Sequence, residues 1–273
     1  MKTVNLHVNF NLDALIGKLQ RMVQKSINNV TLGLYSNPEV PDDFIKIPGV
    51  SFALSLVTPE SQDIETLKSE FHDWVLINGF RDASESISSF LEEAYGVLAF
   101  WQLLDRQNQT NSLMGNDWNE LVIQGAKKFH RLGLPDKIEY LTQQNLDIEI
   151  DLIKNILSIN IARNCLVHRN GFVGERDLNS KEHLLVTWKR ISLILMDESG
   201  EKEIQIPHKV EKESTLAIKN TSSSKKFSLG EKISFNTQEF SDICWCLYLF
   251  GLDIAQKIGK VGANKGYMTD NIK

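Results

Sequence analysis

Two periodicities divide the chain. From residue 12 apolar side chains recur at helical spacing (Leu12, Leu15, Ile16, Leu19, Met22, Val23, Ile27), which predicts an amphipathic helix opened by a capping Asn11 or Asp13. "YSNPEVPDDFIKIPG" carries three of the six prolines and reads as an irregular connector. Thr58 and Pro59 have the form of a helix start, and apolar residues then recur from Leu67 to Leu104, with Gly79 either dividing that stretch or bending it. "RQNQTNSLMGND" reads as a turn-rich break. "DWNELVIQGAKKFHRLG" reads as a helix closed by Gly133, followed by a short one from Pro135 and a strongly apolar segment from Leu146 to Val167. After "HRNGFVGERDLNS" the period shortens. "HLLVTWKRISLILM" and "KEIQIPHKV" predict a hairpin around "DESGE", and "STLAIK" and "KKFSLGEKISF" predict two further strands separated by a polar, flexible "NTSSSK". Asn236 with Glu239 forms a capping-box start for a last helix running through Ile258 and ended by Gly259, with a loose tail beyond.

The predicted fold class is therefore mainly α, a helical bundle with a small β insertion before the last helix. Its divisions are an N-terminal segment over 1–57, a bundle over 58–178, the β excursion over 179–235, a returning helix over 236–259 and the tail over 260–273.

Composition narrows the function classes. A chain of 273 residues, 42% hydrophobic and 24% charged, can bury a substantial core and is not expected to be disordered. The net charge of −5 argues against a general nucleic-acid coat protein, yet permits an enzyme that grips one or two phosphates locally. Three cysteines, an odd number, fit a reducing cytosol better than a disulfide framework. "MKTVNLHVNF" lacks the apolar core of a signal peptide, and the greasy run "ICWCLYLFGL" is too short for a bilayer, so a cytosolic protein without membrane association is expected.

One stretch resists a purely structural reading. In "ARNCLVHRNG", residues 162–171, polar groups occupy the end of an apolar helix. At about 100° per residue, Leu152, Ile153, Ile156, Leu157, Ile159 and Val167 share a broad face, and Asp151, Lys154, Asn155 and Ser158 fall on the opposite, solvent-like side. Asn160, Arg163 and Asn164 lie inside the apolar arc and His168 at its edge. A buried guanidinium is costly without partners. One reading gives Arg163 a carboxylate from a neighbouring helix, Glu85 or Glu92. The other is a phosphodiester site, in which Arg offers a fixed fork of donors to phosphate oxygens and His moves protons. Five positions separate the two side chains by roughly 140° around a helix, so convergence is expected across a dimer axis, not within one chain.

"RNCLVHRNG" resembles the R-x4-6-H motif of the HEPN superfamily, small all-helical bundles found in prokaryotic RNase toxins and defence proteins. The polar residue after the Arg is matched by Asn164, and the following His-x-Asn-Gly is familiar from several branches. The resemblance covers about residues 60–173, with the last helix completing the bundle. It implies a homodimer whose shared cleft cuts RNA without a metal or other cofactor: the 2′-hydroxyl attacks and leaves a cyclic phosphate and a free 5′-hydroxyl. His168 would transfer the proton, Arg163 would hold the scissile phosphate, and Asn164 would orient groups in the cleft. Asn170, Arg169 and Asn160 are candidates for positioning RNA. A toxin or antiviral-defence setting further implies an antitoxin or regulatory partner. The alternatives are a catalytically inactive HEPN module that binds nucleotide or a protein partner, and a helical structural protein.

Other constellations carry less. The chain has no glycine-rich phosphate loop and no H-x-x-x-H pair, and Cys244 and Cys246 on one helix direct their thiols apart, so no metal site is expected. Cys165 reads as packing filler. Phe71, Trp74, Phe80, Phe90, Tyr95, Phe100 and Trp101 read as core in preference to a base-stacking platform, and "KKFHR" as a short basic cluster on a solvated face.

Overall fold

The computed structural model describes residues 11–36, 64–110, 115–197, 200–204, 209 and 214–268. The fold is mainly helical, with a three-stranded antiparallel sheet inserted before the last helix. Asn11 opens α1 (Leu12–Tyr35), its Oδ1 accepting from the Ala14 amide at 2.9 Å, and the helix runs well beyond Ile27. The connector from residue 37 and the Thr58–Pro59 start lie outside the described residues.

Helix α2 (Ile64–Thr110) is one helix of 47 residues, about 70 Å long at 1.5 Å per residue. Gly79 does not divide it. A side chain there would collide with Val30 of α1 and come within 3.1 Å of Phe240, so this glycine serves close packing. Nor does the chain break at Arg106: α2 continues to Thr110, and Arg106 Nη1 lies 3.1 Å from Asp117 Oδ1. Next comes a helical run made of α3 (Gly115–Trp118), a π-helical turn (Asn119–Gln124) and α4 (Gly125–His130). The Tyr95 hydroxyl donates to the Leu121 carbonyl at 3.0 Å within the widened turn. This run ends at His130; Gly133 instead precedes α5 (Leu134–Gln143), with Pro135 in its first turn.

Helix α6 (Ile150–His168) packs against α2, α5, α7 and the first strand. The sheet is β1 (His183–Asp197), β2 (Gly200–Ile204) and β3 (Thr215–Ser228) in the order β2-β1-β3, with Asp197 opposite Gly200 at the hairpin. The end of "KEIQIPHKV" lies largely outside the described residues. The polar stretch from Asn220 to Lys225 is no loop: β3 is continuous through it, pairing Thr221 with Arg190 and Ser223 with Trp188. Backbone pairing and the 2.6 Å Ser192–Thr221 hydroxyl contact hold a segment with no apolar period to betray it.

This sheet overturns the expected solvent face of α6. Asn155 and Ser158 are 7% and 5% exposed, because β1 lies on that side. Ser158 Oγ accepts from the Thr187 amide at 3.0 Å and donates to the Asn155 carbonyl at 2.8 Å, and Thr187 Oγ1 donates to Asn155 Oδ1 at 2.6 Å.

Helix α7 (Thr237–Asn264) opens on the expected capping box: the Glu239 amide donates to Asn236 Oδ1 at 2.8 Å and the Asn236 amide to Glu239 Oε2 at 2.9 Å. It does not stop at Gly259, which is buried within it. The start of the expected loose tail is docked on α2, with Lys265 paired to Asp105 and the Tyr267 hydroxyl 2.7 Å from Asp105 Oδ1. Among the described residues no helix is long and apolar enough to cross a membrane.

At Gly251 of α7 an added Cβ would collide with Leu19 of α1 and sit 3.5 Å from Phe90 of α2, so this is where the three longest helices meet. Gly251→Val should lower stability by about 1–3 kcal/mol through overpacking, read as a lower midpoint in urea unfolding.

Candidate functional site

The end of α6 is built by a turn that only certain residues can make. The amides of Arg169 and Gly171 both donate to the Cys165 carbonyl, at 3.0 and 3.1 Å, and Asn170 and Gly171 take left-handed conformations with φ of +51° and +81°. Asn and Gly tolerate that region best, which gives the "NG" after His168 a local backbone reason. The chain is then pinned: Val173 N donates to Glu231 O at 2.9 Å and Ile233 N to Gly171 O at 2.8 Å.

Against this fixed helix end, Arg163 and His168 converge within one chain, contrary to the expectation from their angular separation. Arg163 Nη1 donates to Asn164 Oδ1 at 3.0 Å and lies 3.3 Å from His168 Nε2. The long arginine side chain spans the roughly 140° that separates the two positions, and His168, the last helical residue, is exposed and free to fold back. A guanidinium can only donate, so any hydrogen bond in this contact has Nε2 as its acceptor.

Among the described residues the carboxylate partner that a structural network requires does not appear. Glu85 pairs with Arg81 at 3.1 Å, and Glu92 accepts from Lys137 at 2.6 Å and contacts His130 at 2.9 Å. Burial raises the Glu92 pKa, but hydrogen bonds from Lys137 and His130 outweigh it and the net direction is down. Arg163 Nε is buried and has no hydrogen-bond partner among the described residues. Arg163, Asn164 and Asn160 line a cleft of about 330 Å³ between α6, the Ser84–Ser88 turn of α2 and the start of α5.

The other predicted contacts divide. Asn170 is exposed on the turn. Arg169 is occupied: its Nε donates to Asp177 Oδ2 at 2.7 Å and its Nη2 to Oδ1, and buried Asp177 also accepts from the Gly174 amide at 2.9 Å. Arg169 is thus placed to hold the turn beneath the site.

Of the aromatics expected in the core, Phe80, Phe90, Tyr95 and Trp101 are buried and Phe100 packs on the core, but Phe71 and Trp74 are not. Trp74 is 60% exposed and stacks on Phe71 at 6.2 Å; Phe172, four positions after His168, is 52% exposed. Lys232 joins the two places, paired with Asp73 and with its ammonium 5.9 Å above the Phe172 ring. Sequence reasoning also passed over Lys137, an amine only 2% exposed, because a lone lysine in a short helix carries no periodic signal. In "KKFHR", Phe129 is buried while Lys127 and Lys128 are exposed.

Among the described residues no group of three or more His, Cys, Asp or Glu side chains is placed to hold a metal ion. All three cysteines are buried. Burial pushes the thiols of Cys165 and Cys246 up to about 11 and that of Cys244 upward too, so none is poised as a nucleophile. Cys165 instead donates to the Phe172 carbonyl at 3.1 Å. The chain matches no family model, no curated protein and no solved structure.

Two outcomes follow for this region. Native protein should leave its three thiols unmodified by an aromatic disulfide reagent at pH 7.5, and all should react once urea unfolds the chain. Arg169→Ala, which strands the Asp177 carboxylate, should cost about 2–4 kcal/mol in thermal or urea unfolding; a loss below about 0.5 kcal/mol would return Arg169 to the pool of surface residues.

Proposed function

We propose that the protein is a metal-independent endoribonuclease of HEPN type, working as a homodimer in the cytosol in a toxin or phage-defence setting. The observation that carries this reading is the Arg163–His168–Asn164 cluster: a guanidinium with no carboxylate partner among the described residues, one of its donors buried and unused there, held against an imidazole at a helix end. A purely structural network would neutralise that cation, as the same protein does for Arg169 and Lys137.

In the proposed reaction the RNA 2′-oxygen attacks phosphorus as His168 Nε2 removes its proton. The bond from phosphorus to the 5′-oxygen breaks, that oxygen gains a proton, and the products are a 2′,3′-cyclic phosphate and a 5′-hydroxyl. Arg163 offsets charge that builds on the non-bridging oxygens, and Asn164 holds the guanidinium in place. In the free protein Arg163 covers the Nε2 lone pair; an arriving phosphate offers Arg163 a better acceptor and releases that lone pair for catalysis. A second protomer would supply the proton for the leaving oxygen. The exposed Phe71, Trp74 and Phe172 offer faces on which bases can stack, and an antitoxin or regulatory protein would act by covering the cleft.

Arg163→Ala and His168→Ala should each reduce RNA cleavage by about 10²–10⁴-fold, with helical content and molar mass in solution unchanged and products ending in cyclic phosphate. Wild-type protein that leaves both structured and unstructured RNA whole, purified free of any partner, would overturn the nuclease reading and leave a nucleotide- or partner-binding module.

A further inference from the structure

The cleft beside Arg163 has a second wall that the motif does not include. Ser88 of α2 lines it, and behind Ser88 sits the buried ammonium of Lys137, which donates to Ser88 Oγ at 2.7 Å and to Glu92 Oε1 at 2.6 Å. The position of the ammonium is fixed, since it also lies 5.7 Å over the Phe129 ring. An ammonium has only hydrogens to give, so the Ser88 oxygen is the acceptor in this bond and its own hydroxyl hydrogen is left to donate elsewhere. The same accounting applies across the cleft. Asn164 spends its Oδ1 on Arg163, which leaves its NH2 group as the end that can still engage a ligand, and Arg163 Nε–H is buried without an acceptor.

Ser88 of α2 and Asn164 and Arg163 of α6 thus line one space of about 330 Å³, large enough for a phosphate with an attached sugar. The carboxylate that lines it, Glu85, is turned to Arg81 at 3.1 Å and is well exposed. A ligand that satisfies these donors brings acceptors and negative charge.

We propose that Ser88 is a further phosphate-binding residue, set by Lys137 as a positioning residue, so that a phosphate group is held between α2 and α6 within a single protomer. The inference rests on the nuclease reading for the identity of the phosphate as one in an RNA backbone; free phosphate shares the same chemistry, and the experiment separates the two sources. It differs from a cleft in which both subunits are needed to grip the phosphate, and confines the need for the dimer to proton transfer.

The test reads the Arg163 Nε–H resonance of the full chain by NMR, assigned through loss of its signal in Arg163→Lys. Inorganic phosphate and a 2′-O-methylated dinucleotide monophosphate, which binds but cannot be cut, are titrated in turn. The resonance should shift with both, more tightly with the dinucleotide. Ser88→Ala should weaken both affinities about tenfold, the loss of one hydrogen bond to a charged group, and Ser88→Thr should restore them. Lys137→Met should weaken binding in the wild-type background and add nothing further in Ser88→Ala, a non-additivity that general destabilisation would not give. A resonance unmoved up to about 50 mM phosphate, or an affinity indifferent to Ser88→Ala, overturns the proposal. Binding of inorganic phosphate with no gain from the dinucleotide keeps the phosphate site and removes RNA as its source. Intact binding together with absent RNA cleavage overturns the nuclease reading alone.

Discussion

Enclosure of α6 is the constraint on which the rest depends. Helices α2, α5 and α7 and strand β1 all pack against it, leaving mainly Ile150, Asp151 and Lys154 at its start and His168 at its end exposed. A polar side chain on the covered sides must find its partner inside the protein, since water cannot compensate it. Asn155 and Ser158 do so through Thr187, and Arg169, just past the helix end, does so through Asp177. Arg163 is the exception, with one donor given to Asn164, one weak contact to His168, and Nε left over. Where neighbouring polar groups are closed off this thoroughly, the partly open one is what motivates the proposed ligand site.

The β insertion supplies the wall that makes the enclosure possible. Among the described residues β2 pairs only with Leu193–Asp197, and no described strand covers the nearer part of that edge of β1. Side chains close it: Asn179 takes both the amide and the carbonyl of Leu185, at 2.8 and 2.9 Å, and Ser158 takes the amide of Thr187. The sheet is thus fastened to α6 by the helix's own hydroxyl. Phe227, Phe235 and Trp188 then seat its inner side, with ring centroids 5.5 and 6.1 Å apart around Phe235. The strap from Gly230 to Ile233 that follows β3 pins the turn after His168. Sheet and site are therefore mechanically one unit, and the insertion holds the helix end at which Arg163 and His168 meet.

Features that depend on local chemistry were legible in the sequence. Asn11 and the Asn236–Glu239 pair cap helices through their own side chains, and the hairpin between Asp197 and Gly200 follows from turn residues between apolar runs. Features that depend on what lies opposite were not. Asn155 and Ser158 looked solvent-facing because periodicity cannot show that a sheet from later in the chain covers that side. Gly79 looked like a breaker because a one-dimensional pattern cannot show Val30 and Phe240 pressing against it. The continuity of β3 through "NTSSSK" is a property of its pairing with β1, and Phe71 and Trp74 keep a helical period without a neighbour to bury them. At the site, residue types were readable from the motif, but their convergence was misjudged. Angular separation counts Cβ directions, while an arginine reaches well beyond its Cβ and a helix-terminal histidine is no longer constrained by a following turn.

In the proposed reaction that convergence would give Arg163 two competing acceptors, His168 and the arriving phosphate, and their strengths would decide the order of events. An imidazole nitrogen at 3.3 Å is a modest acceptor, and hydrogen bonds between a guanidinium and a charged phosphate are roughly twice as strong as neutral ones. Under the proposed function, the exchange of Arg163 from imidazole to phosphate would therefore be downhill. On that proposal binding and activation would be the same step: the group that grips the phosphate would be the one whose departure exposes the base.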